Sequence, residues 1–137
     1  MNELSTILNA WQQVRSSFAF SPQQERADEF FADVASRSDI SWEELGREAR
    51  EDYGDVAPEI LSALLATDNP LIVLNSLRFA RLEDAREAEV FQKFIRNADP
   101  QKHEVTLATL ADMPEMKAEL KARRNLPKSV LAALKKK

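Results

Sequence analysis

The sequence predicts an all-α fold, and three observations carry this prediction. Good helix formers (Ala, Leu, Glu, Lys and Arg) dominate the 137 residues. The chain has only 2 glycines and no Asn-Gly or Asp-Gly pair, so the residues that tight turns between strands favour are scarce. Apolar residues recur at helical spacing along the chain. Because 137 residues suit one domain, we expect a single helical domain over 1–137.

The first two elements are predicted from apolar spacing and from capping residues. Leu4 to Phe18 is predicted as a helix because its apolar residues fall on one face, at Leu4, Ile7, Leu8, Trp11 and Val14. Ser21 is a suitable N-cap for a second helix, with Pro22 at its first position. We expect residues 1–20 to act as an N-terminal capping helix and Trp11 to lie in the core.

Past this point the chain repeats itself at an offset of about 30 residues. At this offset four apolar positions of one segment meet four of the next, with Ile60, Leu61, Leu64 and Leu65 corresponding to Val90, Phe91, Phe94 and Ile95. Pro70 corresponds to Pro100, where a turn with Asp or Asn ends one helix and Pro opens another. One such second helix is predicted from Pro70 to Leu82. The predicted units are roughly 26–55, 56–85, 86–115 and 116–137, and the last is shorter.

Two segments of the chain resemble known helical repeats. The pattern Leu-Leu-x-x-Asp-Asn-Pro-Leu-Ile-Val-Leu-x-x-Leu, from Leu64 to Leu77, resembles the HEAT-repeat family, which has an Asp-x-Pro turn between its two helices. The stretch from Asn125 to Leu134 is similar to the related leucine-rich-repeat-variant units. The resemblance implies stacked helical hairpins in a short right-handed α-α superhelix, an α-solenoid of about seven to nine helices. It also implies a concave face, lined by the second helices, that binds other macromolecules.

The sequence predicts no catalytic, cofactor or metal site, and therefore a protein that is not an enzyme. The absence of cysteine excludes disulfides, thiolate metal sites and thiol nucleophiles. His103 is the single histidine, so a metal site would need carboxylate ligands from other helices. We expect His103 to be an ordinary histidine at a helix surface or edge. The many carboxylates alternate with arginines, which is typical of a solvated helix face.

Location is predicted from the absence of membrane and export signals. No stretch is long and apolar enough to span a membrane. The first ten residues lack the basic region and apolar stretch of a secretory signal. We therefore expect a soluble protein of the cytoplasm.

Charge is distributed unevenly along the chain, whose net charge is −4. Eight cations and one acid give residues 117–137 a net charge of +7, which leaves −11 for the other residues. The basic tract of interest consists of Lys121, Arg123, Arg124, Lys128, Lys135, Lys136 and Lys137. It predicts docking of an acidic partner, of nucleic acid or of an anionic membrane, although cations at a helix C-terminus also stabilise the helix dipole. The opposite charges also predict a head-to-tail self-association that weakens with salt.

Six further residues are candidates for partner binding, namely Trp42, Asn75, Arg78, Arg81, Lys102 and His103. If the second helices face inward, Asn75, Arg78 and Lys102 point into a groove that can hold an acidic peptide or a phosphate backbone. Trp42 follows Ser41 at a predicted helix start and is a candidate interface anchor, because tryptophan is enriched at binding hot spots. The alternative for each is an ordinary surface role.

Three hypotheses about function follow from these patterns. The first is a non-enzymatic protein–protein interaction module, an adaptor or assembly subunit, that uses the groove of the repeat stack. The second is a HEAT-like protein that binds nucleic acid through the basic tract. The third is an accessory protein or lyase-like chaperone for a cofactor, which needs a deep pocket with convergent polar groups. The repeat, together with the missing catalytic motifs, favours the first.

Overall fold

The described part of the chain is built from helices. The computed structural model describes residues 3–18, 21–37 and 41–135. Within these ranges the α-helices are α1 (Glu3–Val14), α2 (Pro22–Ala35), α3 (Trp42–Glu51), α4 (Ala57–Ala66), α5 (Pro70–Ser76), α6 (Ala85–Asn97), α7 (Glu104–Ala111), α8 (Pro114–Lys121) and α9 (Lys128–Leu134). Two short 3-10 segments, Arg15–Phe18 and Gly54–Val56, complete the described elements. The predicted all-α class is confirmed, and the helix count agrees with the prediction.

The helices are divided between two compact units. The first unit, Met1–Ala80, contains α1 to α5, and the second unit, Arg81–Lys137, contains α6 to α9. In each unit the described helices bury apolar side chains against one another.

The turn between α4 and α5 explains the Asp-Asn-Pro signature of the sequence. Asp68 has a φ of 54°, in the left-handed region that Asp tolerates better than most residues. Asn69 caps α5, because its Oδ1 accepts the backbone N–H groups of Leu71 at 3.0 Å and Ile72 at 3.2 Å. Pro70 occupies the first turn of α5, where its missing N–H costs nothing. Each of the three residues thus has a distinct role in reversing the chain without glycine.

Polar side chains also begin other helices. Ser21 Oγ accepts the backbone N–H of Gln24 at 3.2 Å, with Pro22 in the first turn, so the predicted cap of α2 is confirmed. Asp84 begins α6 in the same way and accepts the N–H of Arg86 at 2.9 Å. These caps satisfy backbone donors that have no partner inside their own helix.

The core of the first unit is built around α4. This helix contacts α1, α2, α3 and α5, and residues 57–65 are buried except for Ser62. From α1, Ile7 and Trp11 are each 1% exposed and pack into the same core, which confirms the predicted core position of Trp11. Burying a large apolar side chain contributes roughly 2–3 kcal/mol. Contacts of this kind therefore supply most of the free energy that holds these short helices together.

A hydrogen-bond network joins α1 to α2. Asp28 Oδ1 accepts the indole N–H of Trp11 at 2.7 Å and the Nε–H of Arg15 at 3.0 Å. Asp28 Oδ2 accepts Arg15 Nη2 at 2.5 Å. The Trp11 ring also stacks on Phe31, with centroids 4.9 Å apart. The indole ring of Trp11 is thus buried, and its N–H has a hydrogen-bond acceptor.

This network shifts the titration of Asp28. The hydrogen bonds from the Arg15 guanidinium hold the pKa of the Asp28 carboxyl below its ordinary value of 3.8. Partial burial opposes this shift, and the Trp11 N–H reinforces it. Both charged side chains are 36% exposed, so solvent screens their attraction.

The predicted helix from Leu4 to Phe18 changes form near its end. It is α-helical to Val14 and continues as the 3-10 segment from Arg15 to Phe18. The carbonyl of Arg15 accepts Nε2 of Gln24 in α2 at 2.8 Å. This carbonyl is therefore engaged by a neighbouring helix, which apolar spacing does not reveal.

The helix predicted from Pro70 to Leu82 is also shorter, and its predicted end is wrong. It ends at Ser76, whose hydroxyl donates to the carbonyl of Val73 at 2.6 Å. Three residues later the carbonyl of Phe79 accepts Nε of Arg50 from α3 at 2.7 Å. Tertiary contacts thus hold the chain after Ser76 and override its helix propensity.

Phe79 packs closely against α3 at Gly46. A Cβ at Gly46 would lie 3.0 Å from Phe79 Cδ1 and 3.3 Å from Phe79 Cβ. Such distances are shorter than ordinary van der Waals contacts, and Phe79 is only 6% exposed. The absence of a side chain at Gly46 therefore sets how closely this segment approaches α3.

The contact between Gly46 and Phe79 leads to a stability prediction with a matched control. Gly46→Val should lower the free energy of unfolding by about 1–3 kcal/mol, because the new side chain must displace buried Phe79. At exposed Gly54 a Cβ would meet nothing within 4 Å, so Gly54→Val should change it by less than about 0.5 kcal/mol. Urea unfolding followed by circular dichroism measures both, and equal losses would contradict the close approach.

Asp28 leads to a prediction about pH. Because the folded pKa of Asp28 lies below 3.8, the network stabilises the protein above that pH, and this contribution is lost as pH falls through the folded value. Asp28→Asn should therefore lower the free energy of unfolding by about 1 kcal/mol at neutral pH, and less in acid. Asp28→Ala should cost more, about 1–3 kcal/mol, because the buried indole N–H loses its acceptor. Urea titrations between about pH 3 and pH 7 test the trend; a gap between wild type and Asp28→Asn that persists unchanged in acid would contradict it.

Candidate interaction surface

In the second unit, α6 and α8 lie side by side and point the same way. Gln92 Nε2 donates to the carbonyl of Glu115 at 3.4 Å, and Arg96 Nη1 contacts Glu119 Oε2 at 3.1 Å. Both contacts join residues that are 23 positions apart. A constant separation between paired residues means that the two helices are parallel. They correspond to the first helices of the predicted third and fourth units.

The second helices of the same units, α7 and α9, also pack together. Ser129 Oγ, in the first turn of α9, donates to Glu104 Oε2, in the first turn of α7, at 2.5 Å. The N-terminal ends of α7 and α9 are therefore adjacent. The second unit thus contains two helix pairs, α6 with α8 and α7 with α9, and α7 also packs against α8. Its core is formed by Phe91, Ile95, Leu107, Leu110, Met116, Leu120 and Val130, each 0% exposed.

Arg123, a member of the predicted basic tract, has an internal structural role. Its guanidinium donates through Nη1 to the carbonyl of Ala98 at 2.9 Å and to the carbonyl of Ile95. These carbonyls lie at the C-terminal end of α6, where a helix has acceptors without partners and a partial negative charge. Arg123, which follows the end of α8, therefore caps α6.

The other described cations of the basic tract face solvent. Lys121, Arg124, Lys128 and Lys135 are exposed, and within the described ranges none of them forms an ion pair. Glu119, the acid among them, contacts Arg96. Lys136 and Lys137 lie outside the described residues. The described part of the tract therefore presents positive charge that its own unit does not neutralise.

The outer side of α9 combines these cations with an apolar residue. Lys128, Leu131 and Lys135 follow one another at spacings of three and four residues, so they lie on one side of the helix. Leu131 is 44% exposed, whereas Val130 and Ala133 on the opposite side are buried. We call the surface formed by Lys128, Leu131 and Lys135 the basic–apolar face of α9.

Large exposed apolar side chains occur in the described residues at three places, Leu71 (55%), Val105 (64%) and Leu131 (44%). They lie in α5, α7 and α9 respectively. These three helices are the second helices of the predicted units. Sequence reasoning missed these residues as binding candidates, although the lysines around Leu131 at helical spacing were a usable signal.

The six residues predicted as candidates for partner binding are divided between the two units. Trp42, Asn75 and Arg78 belong to the first unit, and Arg81, Lys102 and His103 belong to the second. Asn75 and Arg78 come together on α5 and its C-terminal end, where Arg78 Nε donates to Asn75 Oδ1 at 2.8 Å. Asn75 Nδ2 in turn donates to the carbonyl of Leu71 at 3.0 Å. This chain of hydrogen bonds places a guanidinium just beyond the C-terminal end of the helix that carries exposed Leu71.

Trp42 and two of the cations occupy positions at helix starts and turns. Trp42 is the first residue of α3, partly exposed, after the N-cap Ser41. The Arg81 side chain is exposed, and its backbone N–H donates to Glu87 Oε1 at 2.8 Å. Lys102 is exposed in the turn that precedes α7. Accessibility is thus the property that these three residues share.

His103 is buried, and the prediction of a surface or edge position was wrong. It is 1% exposed, immediately before α7, and its ring packs edge-on against Phe94 with centroids 5.0 Å apart. The helix predicted to begin at Pro100 begins instead at Glu104, after a turn in which the N–H of His103 donates to the carbonyl of Asp99 at 3.0 Å. This turn directs His103 inward, away from solvent.

The two units differ in net charge. Fourteen acids and six arginines give the first unit −8, whereas thirteen cations and nine acids give the second unit +4. All eight lysines of the chain lie in the second unit. The first unit therefore carries a negative electrostatic potential and the second unit a positive one.

Metal-binding groups and membrane-spanning helices are absent from the described residues. No group of three or more His, Asp or Glu side chains there is arranged to hold a metal ion. Likewise, none of the described helices has both the length and the apolar character needed to cross a membrane.

Comparisons with protein-family models, with curated proteins and with solved structures found no match for this chain.

Arg123 leads to a prediction in which the adjacent arginine is the control. Arg123→Ala should lower the free energy of unfolding by about 1–3 kcal/mol, because two carbonyls at the end of α6 lose a charged donor. Arg124→Ala should change it by less than about 0.5 kcal/mol, because Arg124 is exposed. Chemical denaturation of the two variants measures the difference. Equal effects would show that Arg123 does not cap α6.

Proposed function

We propose that this protein is a non-enzymatic protein-binding module, an adaptor or assembly subunit, that binds its partner through the exposed sides of its second helices. The observation that carries this proposal is the placement of Leu71, Val105 and Leu131. Single exposed apolar residues are ordinary on protein surfaces. Here, within the described residues, each of the large ones lies on the second helix of a predicted unit, on α5, α7 or α9.

The first helices of the second unit, α6 and α8, differ from the second helices in the residues that they expose. The exposed positions of α6 and α8 carry small or polar residues, including Arg86, Glu89, Lys93 and Lys121. A solvated outer side and an apolar-containing inner side are what a HEAT-like repeat requires, because partners of such repeats bind along the second helices. Both the repeat in the sequence and the residues exposed on the helices therefore support the proposal.

The packed helices of the second unit also provide a firm platform for binding. The contacts of Arg96 with Glu119, of Ser129 with Glu104 and of Arg123 with the end of α6 join α8 and α9 to α6 and α7. A surface on such helices is preorganised, so a partner need not supply the free energy to order it. This favours a binding surface over a flexible tail.

The alternative of nucleic-acid binding is supported by the exposed cations of the second unit. The apolar side chains interleaved with those cations argue for protein, because a phosphate backbone offers no apolar surface to cover them. The net charge of −4, with −8 in the first unit, also opposes association with a polyanion.

The proposal is tested by partner recovery with surface variants. Leu71→Asp, Val105→Asp and Leu131→Asp should each leave the thermal melting temperature nearly unchanged, because the side chains are exposed. Affinity purification from the source cell should recover a stoichiometric protein with the wild type. At least one of the three variants should reduce that recovery about tenfold, as expected when an interface anchor is replaced by a charge. Ala32→Asp, at an exposed position of α2, is the matched control and should retain the partner.

Repeated recovery of the bare monomer, or equal recovery by all the variants, would contradict a binding role for the second helices.

A further inference from the structure

We propose that the basic–apolar face of α9 binds an acidic amphipathic helix of a partner protein, with Leu131 as the apolar anchor and Lys128 and Lys135 as its flanking cations. This inference rests on the protein-binding function proposed above and assigns the chemistry of the partner. The geometry of the face, its charge and the alternatives that it disfavours support it in turn.

The geometry of α9 leaves this side of the helix available. Val130 and Ala133 are buried and attach α9 to its unit, while Ser129 is bonded to Glu104 of α7. The side that carries Leu131 therefore faces away from the buried residues. Lys128 and Lys135 are roughly 10 Å apart along the helix axis, with Leu131 between them. A partner helix with an apolar residue and an acid one turn away on each side matches this spacing.

The charge of the surroundings selects an acidic partner. The helix α9 contains no acid; Glu119, which precedes it in the sequence, contacts Arg96, and Glu104 of α7 accepts a hydrogen bond from Ser129 on another side of α9. Exposed Lys121 and Arg124 precede α9 and add to the same positive potential. Desolvation of Leu131 by a partner would also lower the local dielectric constant and strengthen the adjacent ion pairs. Apolar burial and charge attraction therefore act together at this face.

Other occupants fit less well. A second copy docked through the same face would bring lysines against lysines, which is unfavourable. Nucleic acid would pair with the lysines but would leave Leu131 against phosphates and sugars. An anionic membrane would gain little from one exposed leucine, since stable attachment needs a broad apolar face. An acidic helix with apolar residues can pair with the two lysines and also cover Leu131.

The direct test uses three synthetic peptides and the full chain. The probe is a labelled helical peptide of about 20 residues in which a leucine stripe is bordered by glutamates. One control peptide has serine in place of every leucine, and the other has lysine in place of every glutamate. Fluorescence anisotropy should detect binding of the leucine–glutamate peptide, and weaker binding by about tenfold or more for each control peptide.

Variants of the chain locate the binding site. Leu131→Asp, and the pair Lys128→Glu with Lys135→Glu, should each weaken binding of the leucine–glutamate peptide by about tenfold or more. Ala32→Asp on α2 and Lys93→Glu on α6 are the matched controls for the apolar and the charged change, and both should bind like the wild type. Raising the salt from about 50 to about 500 mM should weaken binding to the wild type more than to the charge-reversed pair. Circular dichroism establishes that the variants are folded.

Each other outcome overturns the inference. Failure of the leucine–glutamate peptide to bind the wild type, or equal binding to Leu131→Asp, would exclude this face as its site. Tighter binding of a duplex DNA of about 20 base pairs, lost in the charge-reversed pair, would assign the face to phosphates instead. If the peptide fails while a cellular partner is lost in Leu71→Asp or Val105→Asp, this inference fails and the protein-binding function stands. Recovery of the bare monomer alone removes both.

Discussion

The short length of the helices is the constraint on which the rest of the structure depends. The longest described helix, α2, has 14 residues, and α5 and α9 have 7 each. Helices of this length are marginal or unstable alone in water, because few backbone hydrogen bonds offset the cost of starting them. Each must therefore be capped at its ends and covered on one side by another helix. The end of the helix is capped by Ser21, Asn69 and Asp84 in α2, α5 and α6. Cover by other helices is most complete for α4, which is nearly all buried.

Arginine and lysine have different structural roles in this chain. The first 80 residues contain arginine but no lysine, and several of these arginines make multiple directed contacts. Arg26, for example, donates to both carboxylate oxygens of Asp55 and lies 4.6 Å from the centroid of the Tyr53 ring. A planar guanidinium suits such fixed geometry, whereas an ammonium group is a compact, hydrated charge. Arg123 follows the same rule in the second unit, while Lys121, Lys128 and Lys135 remain at the surface.

This division separates structural charges from charges available for binding. A count along the sequence places Arg123 and Lys128 in one basic tract. The structure shows that the first is engaged by carbonyls of α6 and that the second is exposed beside Leu131. The functional proposal consequently rests on a smaller and better defined group of residues than the tract as a whole. It also brings in an apolar residue, which supplies a reason to prefer a protein partner over a polyanion.

Features that depend on neighbours along the chain could be predicted from the sequence alone. The helical class, the cap at Ser21, the Asp68-Asn69-Pro70 turn and the core position of Trp11 were all predictable, because each arises from local spacing or backbone chemistry. The HEAT-like superhelix stays a prediction. Only the tertiary structure decided that His103 is buried, that Arg123 caps α6 and that α5 ends at Ser76. The physical reason is that each of these depends on groups brought close by folding, such as Phe94 against His103 and Arg50 at the Phe79 carbonyl. The exposure of Leu131 belongs to the same class, since periodicity marks a residue as apolar but does not say whether another helix covers it.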